Sequence, residues 1–243
     1  MVAKSPKRIA LWSGPRDIAT GMLYSFAQRD DATVSDEPLF GYYLGFSGIE
    51  IPFRKQVLEK MEIDPVKIID MLVNCDLNKE ILFIKNKSDQ AVGLQWDFMT
   101  SFDNVFLISH PKRMILSNDQ EKEEQQLLDT CYEVQYHQFL YLIQLGIEPI
   151  VIDSDDLIKN PDVILSSMCA KIGIPFQSKM LKWEKSEKEV ESLPSRNWCK
   201  NMHSTSSFKD VDQLSGKLSI QQEELLEECL PFYERIQKYA IKA

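Results

Sequence analysis

A short apolar run that breaks into a tight turn and restarts as a helix constrains this chain more than any other feature. Arg8-Ile9-Ala10-Leu11-Trp12 leads into Ser13-Gly14-Pro15-Arg16, and Asp17-Ile18-Ala19-Thr20 opens the next apolar period. A strand that turns directly into a helix brings free backbone N–H groups and the positive helix end to one point. Arg16 adds a fixed cation there, so the loop suits a phosphate or sulfate group. The Gly-Lys-Ser/Thr ending of the nucleoside-triphosphate loop is missing, and with it the lysine and the metal-binding hydroxyl that Mg-ATP or GTP requires.

Strand and helix patterns alternate after that loop. Ile18, Met22 and Phe26 recur at helical spacing up to Gln28, and Ala32-Thr33-Val34-Ser35 reads as a second strand ending at Asp36-Glu37-Pro38. Residues 39–79 predict loop with two short helices. Glu80 to Lys85 is an almost unbroken apolar run of the kind buried on both faces of a parallel sheet, and Asn104 to His110 is a fourth strand. Pro111 opens a short helix through Leu116, and a long amphipathic helix is expected from about Lys122 to Leu145, with Cys131 among its apolar positions. Pro149 to Asp153 gives a fifth strand, Asn160-Pro161 starts a helix that stops at Gly173, and the tail from Ser219 to Tyr239 is helical again. Residues 177–216 lose periodicity and read as an irregular lid. The expectation is an α/β fold in which helices flank a central parallel sheet and ligands gather at the carboxyl ends of the strands.

The 243 residues are 44% hydrophobic and 27% charged, in keeping with a single domain over 1–243. The formal net charge of −9 argues against nucleic acid as a partner, because backbone binding needs an extended positive field. It leaves room for one anionic ligand held by a few converging cations. Phe139-Leu140-Tyr141-Leu142-Ile143, the longest apolar run, is too short to cross a bilayer, and the N-terminus lacks the apolar core of a signal peptide, so no membrane association and a cytoplasmic location are expected. The five cysteines are widely spaced with no Cys-x-x-Cys, which indicates neither a disulfide framework nor a zinc cage.

Three segments, in the right order and spacing, resemble the sulfotransferase family, P-loop-like enzymes that move a sulfuryl group from 3′-phosphoadenosine 5′-phosphosulfate (PAPS) to an acceptor. Ser13-Gly14-Pro15-Arg16-Asp17-Ile18-Ala19-Thr20 is similar to the family's 5′-phosphosulfate loop. Phe106 to Ser117 resembles its 3′-phosphate segment, and Ile152 to Pro161, continued through Leu165 to Phe176, resembles its late strand and helix. The resemblance is closest to a bacterial-type branch with Trp-Ser-Gly-Pro-Arg and Asp-Glu-Pro segments, some of whose members carry aminotransferase-like names. No phosphate cup and no lysine in a Schiff-base context points to a pyridoxal-phosphate enzyme here.

The resemblance implies a single-domain, P-loop-like three-layer fold, with PAPS as co-substrate, no metal, and a hydroxyl of a small molecule as acceptor. It implies that Arg16 holds the transferring group, that Ser13, Gly14, Pro15, Asp17, Ile18, Ala19 and Thr20 complete the cradle, and that Ser109, Lys112 and Ser117 lie against the 3′-phosphate. Ser109 stands where the family places an arginine, with Lys112 and Arg113 nearby as substitutes. Glu37 is the first candidate for the base, or else it organises the turn. Lys87 occupies the place of a histidine found in other members, two residues beyond Lys85, and suits a cation to sulfate better than a base. His110 is placed for ligand contact, whereas His137 reads as structural. His203 lies in a late segment, Trp198 to Phe208, that folds over the nucleotide as a lid with Arg196 or Lys200, or else is a surface loop. Tyr42, Tyr43, Phe46, Trp96 and Phe98 either line an apolar acceptor pocket or belong to the core. Two rival functions remain: a P-loop-fold phosphoryl transferase, and a non-catalytic nucleotide-binding or scaffold protein. Ser109 is the residue that keeps the second alive.

Overall fold

The first strand, β1 (Lys7–Ser13), is apolar from Ile9 to Trp12 because it lies at the centre of a sheet covered on both faces. The computed structural model describes residues 6–15, 18–118, 130–185, 190–192, 200–210 and 216–243. With β2 (Ala32–Asp36), β3 (Ile81–Lys87), β4 (Asp103–Ile108) and β5 (Ile150–Asp153), β1 forms a five-stranded sheet in the order β2-β3-β1-β4-β5. Every pairing is parallel, as expected. The sheet runs further than apolarity suggests at β3, because Trp12 pairs with Asn86 and Ser13 with Lys87 after the apolar residues have ended. It stops earlier at β4, which leaves Ser109 and His110 beyond the strand.

Alternate residues of β1, β3, β4 and β5 feed two cores, and the edge strand β2 feeds one. Ile9, Leu11, Phe83 and Leu107 pack with Met22 and Phe26 of α1 (Ala19–Ala27) on one face. Phe26 and Phe83 stack with centroids 3.9 Å apart. Ala10, Trp12, Ile84 and Phe106 pack on the other face with Phe139 and Leu142 further along the chain. Full burial of such side chains contributes about 1.5–3 kcal/mol each, which is what holds the three layers together.

Residues 40–74 contain three helices where two were expected: α2 (Phe40–Ser47), α3 (Arg54–Lys60) and α4 (Pro65–Asn74). The last is capped by Asp64, whose side chain accepts from Val66 N. After α5 (Pro111–Asn118), the expected long helix is interrupted at Cys131, which has a left-handed φ of 65°, and α6 covers only Tyr132–Gln144. Its earlier part, 119–129, lies outside the described residues. Next come α7 (Ser154–Lys159) and α8 (Pro161–Ile172), then a one-turn helix, α9 (Lys200–His203), and α10 (Ile220–Gln237), which opens with a Ser219–Gln222 capping box. Among the described residues, no helix is long and apolar enough to cross a membrane.

Candidate functional site

The chain leaves β1 toward β2 on one side of the sheet, while β4 leads to β5 on the other. The crevice between their carboxyl ends is therefore the topological switch point where α/β sheets bind ligands. Ser13 closes β1, buried, with its hydroxyl donating to Asn86 O at 3.2 Å. Gly14 and Pro15 carry the chain out of the sheet, and Ile18, Ala19 and Thr20 form the buried start of α1. Arg16 and Asp17, the cation of this loop and the cradle residue after it, lie outside the described residues. A residue that sequence reasoning missed braces the crevice from below. The Gln135 amide, fully buried on α6, donates to Trp12 O at 3.1 Å and to Leu107 O at 3.0 Å, which satisfies carbonyls at the ends of both strands. A glutamine on the apolar face of a helix was the available signal.

At the ends of β2 and β3 the structure gathers charge. Lys85 is buried and its Nζ lies 2.9 Å from Asp36 Oδ1 and 2.7 Å from Glu37 Oε1. It is thus the centre of an internal ion-pair network. Glu37 Oε2 accepts from Gln90 Nε2 at 2.7 Å, so both of its carboxylate oxygens are engaged. Glu37 also has a positive φ of 49°, a conformation that costs a non-glycine residue on the order of 1–2 kcal/mol. Its N–H, donating to Lys85 O at 2.7 Å, holds it there. Lys87 pairs with Asp89 Oδ2 at 3.0 Å. Burial pulls the Lys87 ammonium down, but Asp89, the Cys131 sulfur and Glu37 outweigh it and keep the group above the usual lysine range, charged at neutral pH.

The ends of β4 and β5 are built from hydroxyls and neutralised charge. Ser109 is buried with its Oγ 2.5 Å from Ser154 Oγ, and its carbonyl accepts from Tyr132 OH at 2.7 Å. Asp153 caps α7 through Asp155 N at 2.9 Å and accepts from Tyr233 OH at 2.6 Å. Burial raises the Asp153 carboxyl above its ordinary range, and burial together with that carboxylate raises the Tyr233 phenol. On α5, Arg113 pairs with Asp155 at 3.2 Å, Lys112 is exposed, and the Ser117 hydroxyl turns back onto Met114 O at 2.7 Å. His110 accepts from Lys112 N through Nδ1 at 3.2 Å and lies against the Tyr233 ring, which fixes its orientation.

The aromatics separate. Phe98 lies edge-on against Trp12 and Phe102, and Trp96 donates to Ala91 O at 3.1 Å, so this pair joins the core side. Tyr42 and Phe46 stack over Gly93, which has φ +82° and where a Cβ would come within 2.6 Å of the Phe46 ring. Phe46 remains exposed at the rim. Of the late segment, residues 200–208 dock onto α1. Phe208 is fully buried beside Trp183, close enough to Gly21 that a Cβ there would lie 3.2 Å from its ring. His203 Nε2 lies 2.9 Å from Glu191 Oε2, and Tyr24 donates to the other oxygen of that carboxylate. Arg196 falls outside the described residues. No group of acidic, histidine or cysteine side chains suited to a metal ion occurs among the described residues.

A parallel β2-β3-β1-β4-β5 sheet whose first strand leads into α1 defines a P-loop-like α/β protein. The sulfotransferase domain family model matches residues 7–240, and the chain belongs to that family. Branched-chain-amino-acid aminotransferase-like proteins 2 and 1 of Arabidopsis thaliana are 32% and 31% identical over 235 residues, or 93% and 96% of this chain. The chain spans only 40% and 42% of their lengths. Among solved structures, a sulfotransferase from Alicyclobacillus acidocaldarius superimposes with TM-score 0.55 at 11% identity, covering 99% of this chain and 98% of the other. The sulfotransferase domain of the Synechococcus PCC 7002 olefin synthase gives 0.51 at 14% identity, covering 94% and 96%. At these identities the likeness is one of fold.

Proposed function

We propose that the protein is a cytoplasmic enzyme that transfers a sulfuryl group from PAPS to a hydroxyl of a small-molecule acceptor. The observation that carries this reading is the loop from β1 into the buried start of α1, at the carboxyl edge of this sheet, in a chain of the sulfotransferase family. The residues present suit such a nucleotide. Arg16 and free backbone N–H groups of the loop from Ser13 to Thr20, Pro15 excepted, grip the phosphosulfate, with the charged Lys87 beside them on β3. On the segment after β4, Lys112 and Ser117 meet the 3′-phosphate, and Arg113 exchanges Asp155 for it. Ser109 supplies a hydroxyl where the family has a cation. Sulfuryl transfer is an in-line displacement that gains most from positioning and from cations at the developing charge, and these groups supply both. Glu37, engaged by Lys85 and Gln90, serves to hold Lys85 in place, which leaves the acceptor's proton to another group.

Titration with adenosine 3′,5′-bisphosphate, together with sulfuryl transfer from radiolabelled PAPS to a panel of alcohols and phenols, tests the proposal. Arg16→Ala is expected to keep the fold, weaken bisphosphate binding and lower turnover by roughly 10² or more. Arg16→Lys recovers part of that loss, because it restores charge without the guanidinium fork. A large fall in Tm with unchanged nucleotide affinity would make Arg16 a structural ion-pair residue and sink the proposed site. Bisphosphate binding with no transfer to any acceptor would leave a nucleotide-binding protein that has lost the chemistry.

A further inference from the structure

We propose that Asp89 is the catalytic base that takes the acceptor's proton, and that Lys87 is its positioning residue. The assignment rests on the sulfuryl-transfer reading above and names a group that the sequence does not single out.

Three carboxylates lie near the ends of β2 and β3; Asp36 has both oxygens engaged, by Lys85 Nζ and Ser192 N, and the other two differ in the one respect that matters for a base. Glu37 has no oxygen to offer, since Lys85 lies 2.7 Å from one and Gln90 donates to the other at 2.7 Å. Releasing Lys85 would leave a buried ammonium short of a partner, a costly state. Asp89 has one oxygen in use, Oδ2 at 3.0 Å from Lys87 Nζ, while Oδ1 is buried with no hydrogen-bond partner. A covered carboxylate oxygen left unpaired bears its lost hydration uncompensated. A donor hydroxyl brought in by a ligand supplies that compensation. The same short stretch holds two further buried side-chain oxygens without partners, Asn86 Oδ1 and Ser88 Oγ, so unmet polar capacity is concentrated where β3 ends.

Position favours the same group. Lys87 is the register partner of Ser13, the residue at which β1 becomes the phosphate loop, and Asp89 follows two residues later in the 3-10 turn Ser88–Ala91. Gln90 locks that turn in place, with Oε1 accepting from Lys87 N at 3.3 Å and Nε2 bound to Glu37. Tyr43 lies against the Asp89 carboxylate, and burial, then the Asp89 charge, pushes its phenol up to about 12, so it stays protonated and does not compete for the acceptor's proton.

The step balances without any further reagent. The acceptor hydroxyl gives its proton to Asp89 Oδ1 as its oxygen forms a bond to sulfur. The bond from sulfur to the bridging phosphate oxygen breaks, and its electron pair leaves on adenosine 3′,5′-bisphosphate. Asp89 returns the proton to water once the products depart. Lys87 keeps the carboxylate turned toward the acceptor.

The test compares wild-type protein with Asp89→Asn, Asp89→Ala, Lys87→Gln and Glu37→Gln, using PAPS and two probe acceptors: phenol, and 4-nitrophenol in mildly alkaline buffer where it is already ionised. Asp89→Asn is expected to lose about 10²- to 10⁴-fold in kcat with phenol, to stay near wild type with 4-nitrophenolate, and to bind adenosine 3′,5′-bisphosphate normally. Formate restores part of the phenol activity of Asp89→Ala. Lys87→Gln slows both acceptors, because it also removes the cation beside the phosphosulfate, but slows phenol more than 4-nitrophenolate, and this ratio provides a second route to the answer if an Asp89 variant folds poorly. Glu37→Gln loses Tm and slows both acceptors alike. Asp89→Asn turning over phenol at the wild-type rate, or an acceptor-dependent loss appearing in Glu37→Gln instead, overturns the assignment alone. Wild-type protein that neither binds the bisphosphate nor uses PAPS overturns the sulfuryl-transfer reading, and this assignment with it.

Discussion

At the ends of β2 and β3, Asp36, Glu37, Lys85, Lys87 and Asp89 crowd into one charged network, whereas the ends of β4 and β5 are closed by a hydroxyl pair, a phenol–carboxylate bond and a partly exposed ion pair. Both lie at the carboxyl edge of a single sheet, a few strands apart. Buried ion pairs are expensive to desolvate, and apolar residues of similar volume commonly stabilise as well or better. A network of this kind beside the end of β1 is therefore better explained by chemistry than by stability. The β4–β5 half satisfies its polar atoms more cheaply and exposes its spare cation, Lys112, to solvent. In the proposed reading the first half acts on the reacting group and the second only grips the far end of the nucleotide.

The sharpest way to break this contrast is Lys85→Met. Removing the shared cation leaves Asp36 and Glu37 facing each other in a buried setting, and a loss of about 3–5 kcal/mol in unfolding free energy is expected by denaturant titration. A loss under about 1 kcal/mol would mean that the network is far more hydrated than its burial indicates. Next in size, Arg113→Ala should weaken adenosine 3′,5′-bisphosphate by roughly 10-fold or more while leaving adenosine 5′-phosphate unaffected, the scale of one charge-assisted hydrogen bond. Its stability should change little, because an exposed Asp155 partner gives such a pair below about 1 kcal/mol. Equal weakening of both nucleotides would place Arg113 away from the 3′-phosphate. Ser109→Ala, which strands the Ser154 hydroxyl, should cost about 1 kcal/mol.

The smallest effect is one of pH. Burial holds Asp153 above the ordinary carboxylate range, so the folded protein keeps this proton more firmly than the unfolded chain. The carboxyl's contribution is most favourable in acid, below the ordinary carboxylate pKa, and is lost as pH rises through the raised folded value. The Tm of Asp153→Asn relative to wild type should therefore shift in favour of the variant between acid and neutral pH. A shift in the opposite direction would mean that the hydrogen bonds from Tyr233 and Asp155 N outweigh burial.

Much of the architecture was legible before any coordinates. The apolar runs at Ile9–Trp12 and Ile81–Ile84 need cover on both faces, and the alternation of strand with helix leaves a parallel sheet as the natural arrangement. The loop at Ser13–Thr20 announced itself through its own local chemistry. The breaks in the prediction have local causes too. A third helix between residues 40 and 74 was hidden because α3 buries only Val57, too little to set a period. The long helix was read through Cys131 because apolar spacing carries no information about a left-handed φ.

The site is where sequence reasoning reached its limit. The sequence by itself determined the fold class, the family and the break from β1 into α1, since each follows from patterns within a short window or from motifs in order. Only the tertiary structure decided that Lys85 spends its charge on Asp36 and Glu37, that Ser109 turns to Ser154, that Gln135 braces two strands, and that Asp89 rather than Glu37 keeps an oxygen open. The partners in these contacts are mostly tens of residues apart in the chain, and the direction of each side chain depends on where a strand stops and which helix covers it. That information resides in packing, and no single stretch of residues carries it.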